Sequence, residues 1–126
     1  MKAAVFKAPG KPLSIENIDD PKCGENEMIL KVQQCGICGT DLHASDGGSM
    51  EPETGTIFGH EFSGEIVEIG KNLKTSFKIG EPAVSLPFIS CGTCQACMNG
   101  NPFFCSTNMQ STGMSPEVQG GYAEYV

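Results

Sequence analysis

The chain has 126 residues, enough for one domain with a hydrophobic core, and its 15 acidic and 8 basic residues give a formal charge of −7. All eight basic residues are lysine. The chain therefore lacks the paired N–H donors with which arginine binds phosphate and guanine, and this argues against a nucleic-acid partner. No apolar run approaches the roughly 20 residues of a membrane span, and the polar residues 1–7 are too short a start for a signal peptide.

Alternating apolar and polar residues, with Gly and Pro scattered between them, predict a mainly β domain. Three strands are predicted in the first third of the chain, each bounded by turn residues: 3–7, 13–18 and 28–34. A short helix is predicted over 40–46, with Thr40 as its cap and Asp41 in its first turn. The pair Gly47-Gly48 ends this helix, and residues 49–56 are predicted to form a polar loop.

The second half of the chain continues the β pattern around one irregular region. Strands are predicted over 61–70 and 82–88, and residues 120–126 begin a further strand. Residues 90–105 are so rich in Gly, Asn and Thr that they are predicted to form a loop without regular structure. Because no repeat, low-complexity tract or linker interrupts the sequence, we expect one domain over residues 1–126.

Seven cysteines are the most informative residues of the chain. An odd number of cysteines without an export signal argues against a disulfide framework and for the reducing environment of the cytoplasm. Cys35 and Cys38 fall close to Asp41 and His43, whereas Cys23 stands alone. The other four lie together in the irregular region: Cys91, Cys94, Cys97 and Cys105. This distribution indicates metal binding.

The four clustered cysteines have the spacing C-x2-C-x2-C-x7-C. The two-residue spacings let three thiolates converge from one short loop. The longer seven-residue segment then brings in the fourth thiolate, which completes the tetrahedral ligand set of a structural Zn²⁺ site. Disulfides would need an oxidising compartment, and a bacterial iron–sulfur run would need C-x2-C-x2-C-x3-C-P. The spacing therefore favours structural zinc in a loop over 90–105.

A second candidate site combines Cys38 with His60, one of only two histidines in the chain. A catalytic zinc takes three protein ligands and leaves one position open, so a third ligand is needed. Asp41 could accept the far N–H of a ligating imidazole, and Thr40 and His43 could pass a proton to water. Taken singly, a cysteine beside glycine is more often a small buried hydrophobe, and a lone histidine is more often an ordinary core or surface residue.

Four motifs in order connect these residues to a known family: Cys35-Gly36-Ile37-Cys38-Gly39-Thr40-Asp41-Leu42-His43, Gly59-His60-Glu61-Phe62-Ser63-Gly64, the cysteine loop, and Gly120-Gly121-Tyr122-Ala123-Glu124-Tyr125-Val126. Together they resemble the amino-terminal catalytic domain of the zinc-dependent alcohol dehydrogenases, in the medium-chain dehydrogenase/reductase superfamily. The resemblance implies a GroES-like fold, a partly open β-barrel with a few short helices and a zinc-binding loop.

The resemblance also implies two metal sites. It makes Cys38 and His60 ligands of a catalytic zinc, with Glu61 as an acid that can approach or bind the metal. The third ligand of that site would lie beyond residue 126, so this site is expected to be weak or empty in the fragment. The structural zinc would be held by the four cysteines of the loop: Cys91, Cys94, Cys97 and Cys105.

The implied reaction transfers hydride between a small alcohol, polyol or carbonyl compound and NAD or NADP. In it Thr40 would contact the reacting oxygen, His43 would continue the proton relay, and Asp41 would be the partner of His60. The sequence contains no G-x-G-x-x-G, so the nucleotide-binding domain is expected to be absent and the fragment to be inactive alone. The resemblance further implies a homo-oligomeric parent.

Two departures and two alternatives accompany the resemblance. The family's usual Gly-Asp-Arg-Val reads Gly80-Glu81-Pro82-Ala83 here, and Phe103-Phe104 replaces the usual approach to the fourth cysteine. Cys23 and Cys35 match no ligand position and are interpreted as ordinary thiols. One alternative is a stand-alone zinc-binding or interaction module with the same fold and no catalytic activity. The other is a GroES-like co-chaperone, which would need neither cysteine cluster.

Overall fold

A computed structural model describes residues 1–48 and 52–126, which form seven short strands and three short helices. In chain order the elements are β1 (Lys2–Val5), β2 (Ser14–Asn17), β3 (Met28–Cys35), α1 (Gly39–Ser45), β4 (Phe62–Ile69), β5 (Pro82–Val84), β6 (Phe88–Ile89), α2 (Gln95–Met98), the 3₁₀ helix Pro102–Phe104, and β7 (Gln110–Ser111). Of the polar loop predicted over 49–56, residues 49–51 lie outside the described part. The prediction of a mainly β fold with a few short helices is confirmed.

The strands form three antiparallel sheets, with the orders β1-β2, β3-β4-β5 and β6-β7. β4 shows why its sequence becomes a strand, because Phe62, Gly64 and Ile66 are buried while the residues between them are less so. Its partner β3 breaks register between Ile29 and Leu30 and again near Val32. Such bulges bend a strand and increase its twist, which favours a curved sheet.

Residues 120–126 join the first two sheets. The Ala4 N–H of β1 donates to the Tyr122 carbonyl over 2.8 Å, and the Leu30 N–H of β3 donates to the Val126 carbonyl over 2.7 Å. Isolated bridges pair Ala3 with Ala123 and Lys31 with Tyr125. The predicted strand at this end is therefore present as bridges to two different sheets.

Two hydrophobic clusters fill the core. One contains Ala3, Val5 and Ile57, and the other contains Phe6, Ala44 and Phe58. The Phe6 and Phe58 rings stack with their centroids 5.2 Å apart. Tyr122 packs against both clusters, so the C-terminal segment closes the core as well as the sheets.

The structure corrects three local predictions. Helix α1 is capped by Cys38 rather than by Thr40, because the Asp41 carboxylate accepts the Cys38 N–H over 2.8 Å. The strand predicted over 82–88 is split, since β5 ends at Val84 and β6 begins at Phe88.

The third correction concerns the cysteine loop over 90–105, which contains regular structure. The Met98 N–H donates to the Cys94 carbonyl over 2.9 Å and closes one helical turn, α2. Pro102 then starts the 3₁₀ helix at a position where its missing N–H costs nothing. A C-x2-C spacing suits such a turn, because residues three apart lie on the same face of a helix.

No helix in residues 1–48 or 52–126 has the length and apolar character needed to cross a membrane.

Replacing Phe58 by alanine is expected to lower the free energy of unfolding by about 3–5 kcal/mol, because the side chain is 1% exposed and packed against Phe6. The matched control is Phe104→Ala, which truncates a side chain that is 76% exposed and should change stability by less than about 0.5 kcal/mol. Urea unfolding followed by circular dichroism measures both values. Equal losses in the two variants would contradict the assignment of Phe58 to the core.

Candidate metal centres and adjoining cleft

The first candidate centre begins where strand β3 ends and helix α1 starts. Cys38 precedes the helix in extended conformation, and Asp41 follows in the first turn with its carboxylate turned back to the Cys38 N–H at 2.8 Å. A carboxylate in this position accepts a hydrogen bond from one of the free N–H groups at a helix start. It is also stabilised there by the positive end of the helix dipole. The Cys38 thiol is thereby held at a defined place beside the core.

The loop before β4 brings His60 to the same place. Gly59 has a φ of +91°, a conformation that favours glycine, and a Cβ there would lie 2.6 Å from both Cys35 Sγ and Tyr122 Cδ1. This position therefore admits only glycine, and it turns the chain so that the next residue, His60, faces helix α1. The His60 side chain is only 11% exposed.

The Asp41 carboxylate connects the parts of this centre. It is 3% exposed, and besides the Cys38 N–H it accepts hydrogen bonds from the Gly59 N–H over 3.3 Å and from the Tyr122 hydroxyl over 3.1 Å. The His60 Nδ1 atom lies 3.6 Å from Asp41 Oδ1, slightly beyond hydrogen-bond distance. Three segments distant in sequence therefore meet at one carboxylate.

Tyr122 was not identified as a site residue by the sequence reasoning, although it stands in the Gly120–Val126 motif. Its hydroxyl lies 3.2 Å from the Gly36 carbonyl as well as 3.1 Å from Asp41. Burial and the neighbouring Asp41 carboxylate raise the pKa of Tyr122. The phenol thus stays protonated and serves as a donor. No pattern of spacing marks this role, because Tyr122 reaches Asp41 only through the fold.

The candidate ligand atoms of the first centre converge. One ligand atom each from Cys38, His60 and Glu61 lies within 4.8 Å of the others. Glu61 is exposed, and Gly36 makes room for its carboxylate, since a Cβ on Gly36 would lie 2.7 Å from Glu61 Oε2. A thiolate, an imidazole and a carboxylate form a donor set that suits Zn²⁺. The unpartnered Nδ1 of His60 is also compatible with an imidazole oriented by Asp41.

The two predicted relay residues are placed differently. Thr40 Oγ1 lies 3.2 Å from His60 Nε2, in contact with the centre. His43 lies three residues further along α1 and is exposed. The structure thus brings Thr40 to the candidate ligands and leaves His43 at the solvent side of the same helix.

A cleft of about 240 Å³ opens beside this centre. Thr40 and His60 form one part of its wall. The remaining lining comes from the segments around β6 and β7: Pro87, Phe88, Met109, Ser111, Thr112 and Met114. The cleft is therefore mostly apolar, with hydroxyl groups and one imidazole as its polar features.

The second candidate centre is the four-cysteine cluster, in which the Sγ atoms of Cys91, Cys94, Cys97 and Cys105 lie within 4.8 Å of one another. The Sγ atoms of Cys94 and Cys97 are 3.5 Å apart, and those of Cys91 and Cys97 are 3.9 Å apart. Sulfur atoms about 2.3 Å from a tetrahedral Zn²⁺ lie about 3.8 Å from one another. The donor set and its dimensions therefore fit zinc.

Local hydrogen bonds favour thiolates in this cluster. Backbone N–H groups of Thr93 and Cys94 lower the pKa of Cys91 to about 5, and the Cys94 N–H lies 3.3 Å from Cys91 Sγ. Backbone N–H groups of Cys97 and Ser106 lower the pKa of Cys94 to about 7. Burial raises the pKa of Cys97 to about 11. A divalent cation, which binds thiolates, would therefore meet a loop already arranged to stabilise two of them.

The remaining two cysteines lie outside both ligand sets. Burial raises the pKa of Cys35, whose Sγ is 3.6 Å from the Gly36 carbonyl. Cys23 lies next to Gly24, with its Sγ 3.4 Å from the Glu27 carbonyl. Raised thiol pKa values reduce the thiolate fraction and hence reactivity, in keeping with their interpretation as ordinary thiols.

Residues 24–126 match the family model described as the alcohol dehydrogenase GroES-like domain. An alcohol dehydrogenase of Geobacillus stearothermophilus is 41% identical over 99% of this chain and 36% of its own length, and an L-threonine 3-dehydrogenase of Xanthomonas axonopodis pv. citri is 34% identical over 100% and 37%. A cobalt- and zinc-bound alcohol dehydrogenase from Pyrobaculum aerophilum superposes with a TM-score of 0.86 at 30% identity, over 100% of this chain and 38% of that one. The chain thus spans little more than a third of these relatives.

Replacing Tyr122 by phenylalanine is expected to lower the free energy of unfolding by about 1.5–3 kcal/mol, because the buried Asp41 carboxylate loses one of its donors while the ring keeps its packing. The matched control is Tyr125→Phe on the same segment, where the bridge to Lys31 is made by backbone atoms and survives the change. Denaturant unfolding of the three proteins measures the difference. If Tyr122→Phe were as stable as Tyr125→Phe, the hydroxyl would contribute nothing to holding the carboxylate.

Proposed function

Because the chain belongs to the family of alcohol dehydrogenase GroES-like domains, we propose that it is the catalytic domain of a zinc-dependent alcohol dehydrogenase that uses NAD or NADP. The observation that carries the proposal is the convergence of Cys38, His60 and Glu61 beside a cleft that His60 lines. The relatives are about three times longer than this chain, so the complete reaction is proposed for the whole protein and not for these residues alone. Homo-oligomerisation and a cytoplasmic location are parts of the same proposal.

Two zinc ions have distinct roles in this proposal. The four cysteines of the loop over 90–105 would hold a structural ion, with no position left for a substrate. Cys38 and His60, with Glu61 as a neighbouring acid, would hold the catalytic ion. When bound there, zinc supplies a Lewis acid that polarises the oxygen of an alcohol or carbonyl group. The sequence contains no G-x-G-x-x-G, so we assign no residue of this chain to the dinucleotide.

Thr40 and His43 would move the proton of the alcohol. The Thr40 hydroxyl lines the cleft, where it could accept the proton of a substrate hydroxyl and pass its own proton on towards His43. His43 follows three residues later on helix α1, and its exposed ring would release the proton to water. Asp41 would position His60 and keep its ring orientation.

The cleft supports a small, uncharged substrate. Within the described residues 1–48 and 52–126, its lining has no carboxylate, ammonium or guanidinium group that would pair with a charged substrate. Phe88, Met109 and Met114 offer apolar surface, and Ser111 and Thr112 offer hydroxyl groups that suit additional hydroxyls. We therefore propose a small alcohol, polyol or corresponding carbonyl compound as the substrate class.

Purified protein is expected to hold zinc in the cysteine loop. Cys97→Ser should remove about one zinc per chain, because the three remaining thiolates do not complete the tetrahedral ligand set. Cys23→Ser is the matched control, since Cys23 lies outside both ligand sets and should keep the full metal content. Elemental analysis by mass spectrometry measures both. Iron with visible absorbance, or the same zinc content in Cys97→Ser as in the unchanged chain, would overturn the structural-zinc assignment.

The catalytic site is tested with Co²⁺, whose visible bands report its ligands. A mild chelator should strip the site of Cys38 and His60 before the four-cysteine site, since two or three ligands bind less tightly than four thiolates. Cobalt added afterwards should give visible bands that shift when 1-butanol is added. Thr40→Val should need about fivefold more alcohol for the same shift, the loss expected for one hydrogen bond worth about 1 kcal/mol.

His60→Ala should lose these cobalt bands, whereas Cys23→Ser should keep both the bands and the response to alcohol. Bands that persist in His60→Ala would place the metal on other residues. Cobalt bands that do not shift when 1-butanol is added would contradict the proposed alcohol site without contradicting the metal site.

A further inference from the structure

The two oxygens of the Asp41 carboxylate face different partners. Oδ2 accepts hydrogen bonds from the Cys38 N–H over 2.8 Å and from the Tyr122 hydroxyl over 3.1 Å. Oδ1 faces the Gly59 N–H at 3.3 Å and His60 Nδ1 at 3.6 Å. Because a carboxylate group is planar and rigid, the donors that hold Oδ2 also set the direction of Oδ1. The oxygen that faces the candidate ligand His60 is therefore controlled from the opposite side of Asp41.

The His60 ring needs an acceptor on its Nδ1 side. Nδ1 is buried and has no hydrogen-bond partner within the described residues. A shift of about half an ångström brings it within hydrogen-bond distance of Asp41 Oδ1. Nε2 lies on the other side of the ring, 3.2 Å from the Thr40 hydroxyl, which lines the cleft. A proton held on Nδ1 leaves the Nε2 lone pair available to a metal ion.

The Tyr122 hydroxyl has one proton and two acceptors within reach. Asp41 Oδ2 lies 3.1 Å away, and the Gly36 carbonyl oxygen lies 3.2 Å away. A charged acceptor forms the stronger hydrogen bond, so the proton is donated to the carboxylate.

The position of Tyr122 is fixed by its surroundings. Its N–H donates to the Phe58 carbonyl over 2.9 Å, and its own carbonyl accepts the Ala4 N–H over 2.8 Å. Its ring packs against both hydrophobic clusters and lies close to Gly59, where a Cβ would approach Tyr122 Cδ1 to 2.6 Å. The hydroxyl therefore cannot follow Asp41 if the carboxylate turns, and it acts as a fixed donor.

We propose that Tyr122 is a positioning residue for the candidate metal ligand His60. Its hydroxyl holds Asp41 so that Oδ1 keeps the His60 proton on Nδ1, and Nε2 stays free to bind a divalent cation. This inference rests on the proposed function, because it gives Tyr122 a task at the proposed catalytic metal site. The C-terminal segment thereby sets the metal affinity of a site to which it contributes no ligand.

A purely structural role for Tyr122 predicts different observations. Loss of packing or of a buried hydrogen bond lowers the stability of the whole chain and does not distinguish the two nitrogen atoms of the His60 ring. The positioning role predicts a change in the His60 tautomer and in metal affinity at that site. The four-cysteine site should be unaffected, because all four of its ligands lie elsewhere, in the loop over 90–105.

The first test is ¹⁵N nuclear magnetic resonance of histidine-labelled 126-residue chain after treatment with a mild chelator. The chain has only two histidines, so His43→Gln identifies the His60 signals. At a pH of about 8.5 an ordinary imidazole is neutral, and its ¹⁵N shifts report which ring nitrogen carries the proton. The Nδ1–H form is expected in the unchanged chain. Tyr122→Phe should shift the population towards the Nε2–H form, which predominates in free histidine.

The second test is the Co²⁺ affinity of the same site, measured by visible absorbance with zinc kept on the four cysteines. Partners of a metal-binding histidine typically change metal affinity by about 10- to 100-fold, and Tyr122 acts through one further residue, so Tyr122→Phe should raise the Co²⁺ dissociation constant about tenfold. Tyr125→Phe is the matched control on the same segment and should change neither the tautomer nor the dissociation constant.

A double-mutant cycle with Asp41→Asn tests whether Tyr122 acts through the carboxylate. The asparagine NH₂ group cannot accept the Nδ1 proton while its oxygen stays with the Cys38 N–H, so Asp41→Asn should itself weaken Co²⁺ binding. Adding Tyr122→Phe to Asp41→Asn should then raise the dissociation constant by less than about twofold, because the two residues act in series.

Several results would overturn the proposal. These are an Nε2–H form in the unchanged chain, an unchanged tautomer or an unchanged dissociation constant in Tyr122→Phe, zinc lost from the four cysteines in that variant, or a tenfold effect that persists in Asp41→Asn. His60→Ala separates this inference from the proposed function. If His60→Ala bound Co²⁺ like the unchanged chain, the metal site itself would be wrong. If it lost Co²⁺ while Tyr122→Phe did not, only the positioning role would fail.

Discussion

The candidate catalytic centre depends on one buried carboxylate, that of Asp41. A carboxylate that is 3% exposed is costly unless donors surround it, and here the donors are the Cys38 N–H, the Gly59 N–H and the Tyr122 hydroxyl. These donors come from the start of helix α1, the loop before β4 and the C-terminal segment. The solvation of one side chain therefore requires three distant segments to meet, and their meeting brings the candidate ligands Cys38 and His60 together.

The two candidate metal centres are built in opposite ways. The four-cysteine cluster is local, since all its ligands and the N–H groups that favour their thiolates lie within residues 91–106. The centre of Cys38 and His60 is assembled from distant segments and rests on the hydrophobic core through Tyr122. A local, four-thiolate centre suits a structural ion, and an open centre beside a cleft suits chemistry.

Much of this organisation was readable from the sequence because its causes are local. Alternation of apolar residues depends on strand geometry, so β2, β3 and β4 were predicted to within about one residue at each end. The family resemblance, carried by four ordered motifs, is confirmed by the match over residues 24–126. The cysteine spacing likewise predicted a compact set of four thiols, because short spacings bring side chains together in any tight loop.

The sequence alone determined the β class, the family and the two groups of candidate ligands, because periodicity, turn residues and motif spacing are properties of neighbouring residues. Only the tertiary structure decided that Cys38 and not Thr40 caps α1, that Tyr122 donates to Asp41, and that His43 stays at the surface. These features depend on which distant segments share the interior. Tyr122 and Asp41 are 81 residues apart in the chain and 3.1 Å apart in the fold, and no local pattern records that distance, since packing of the whole core sets it.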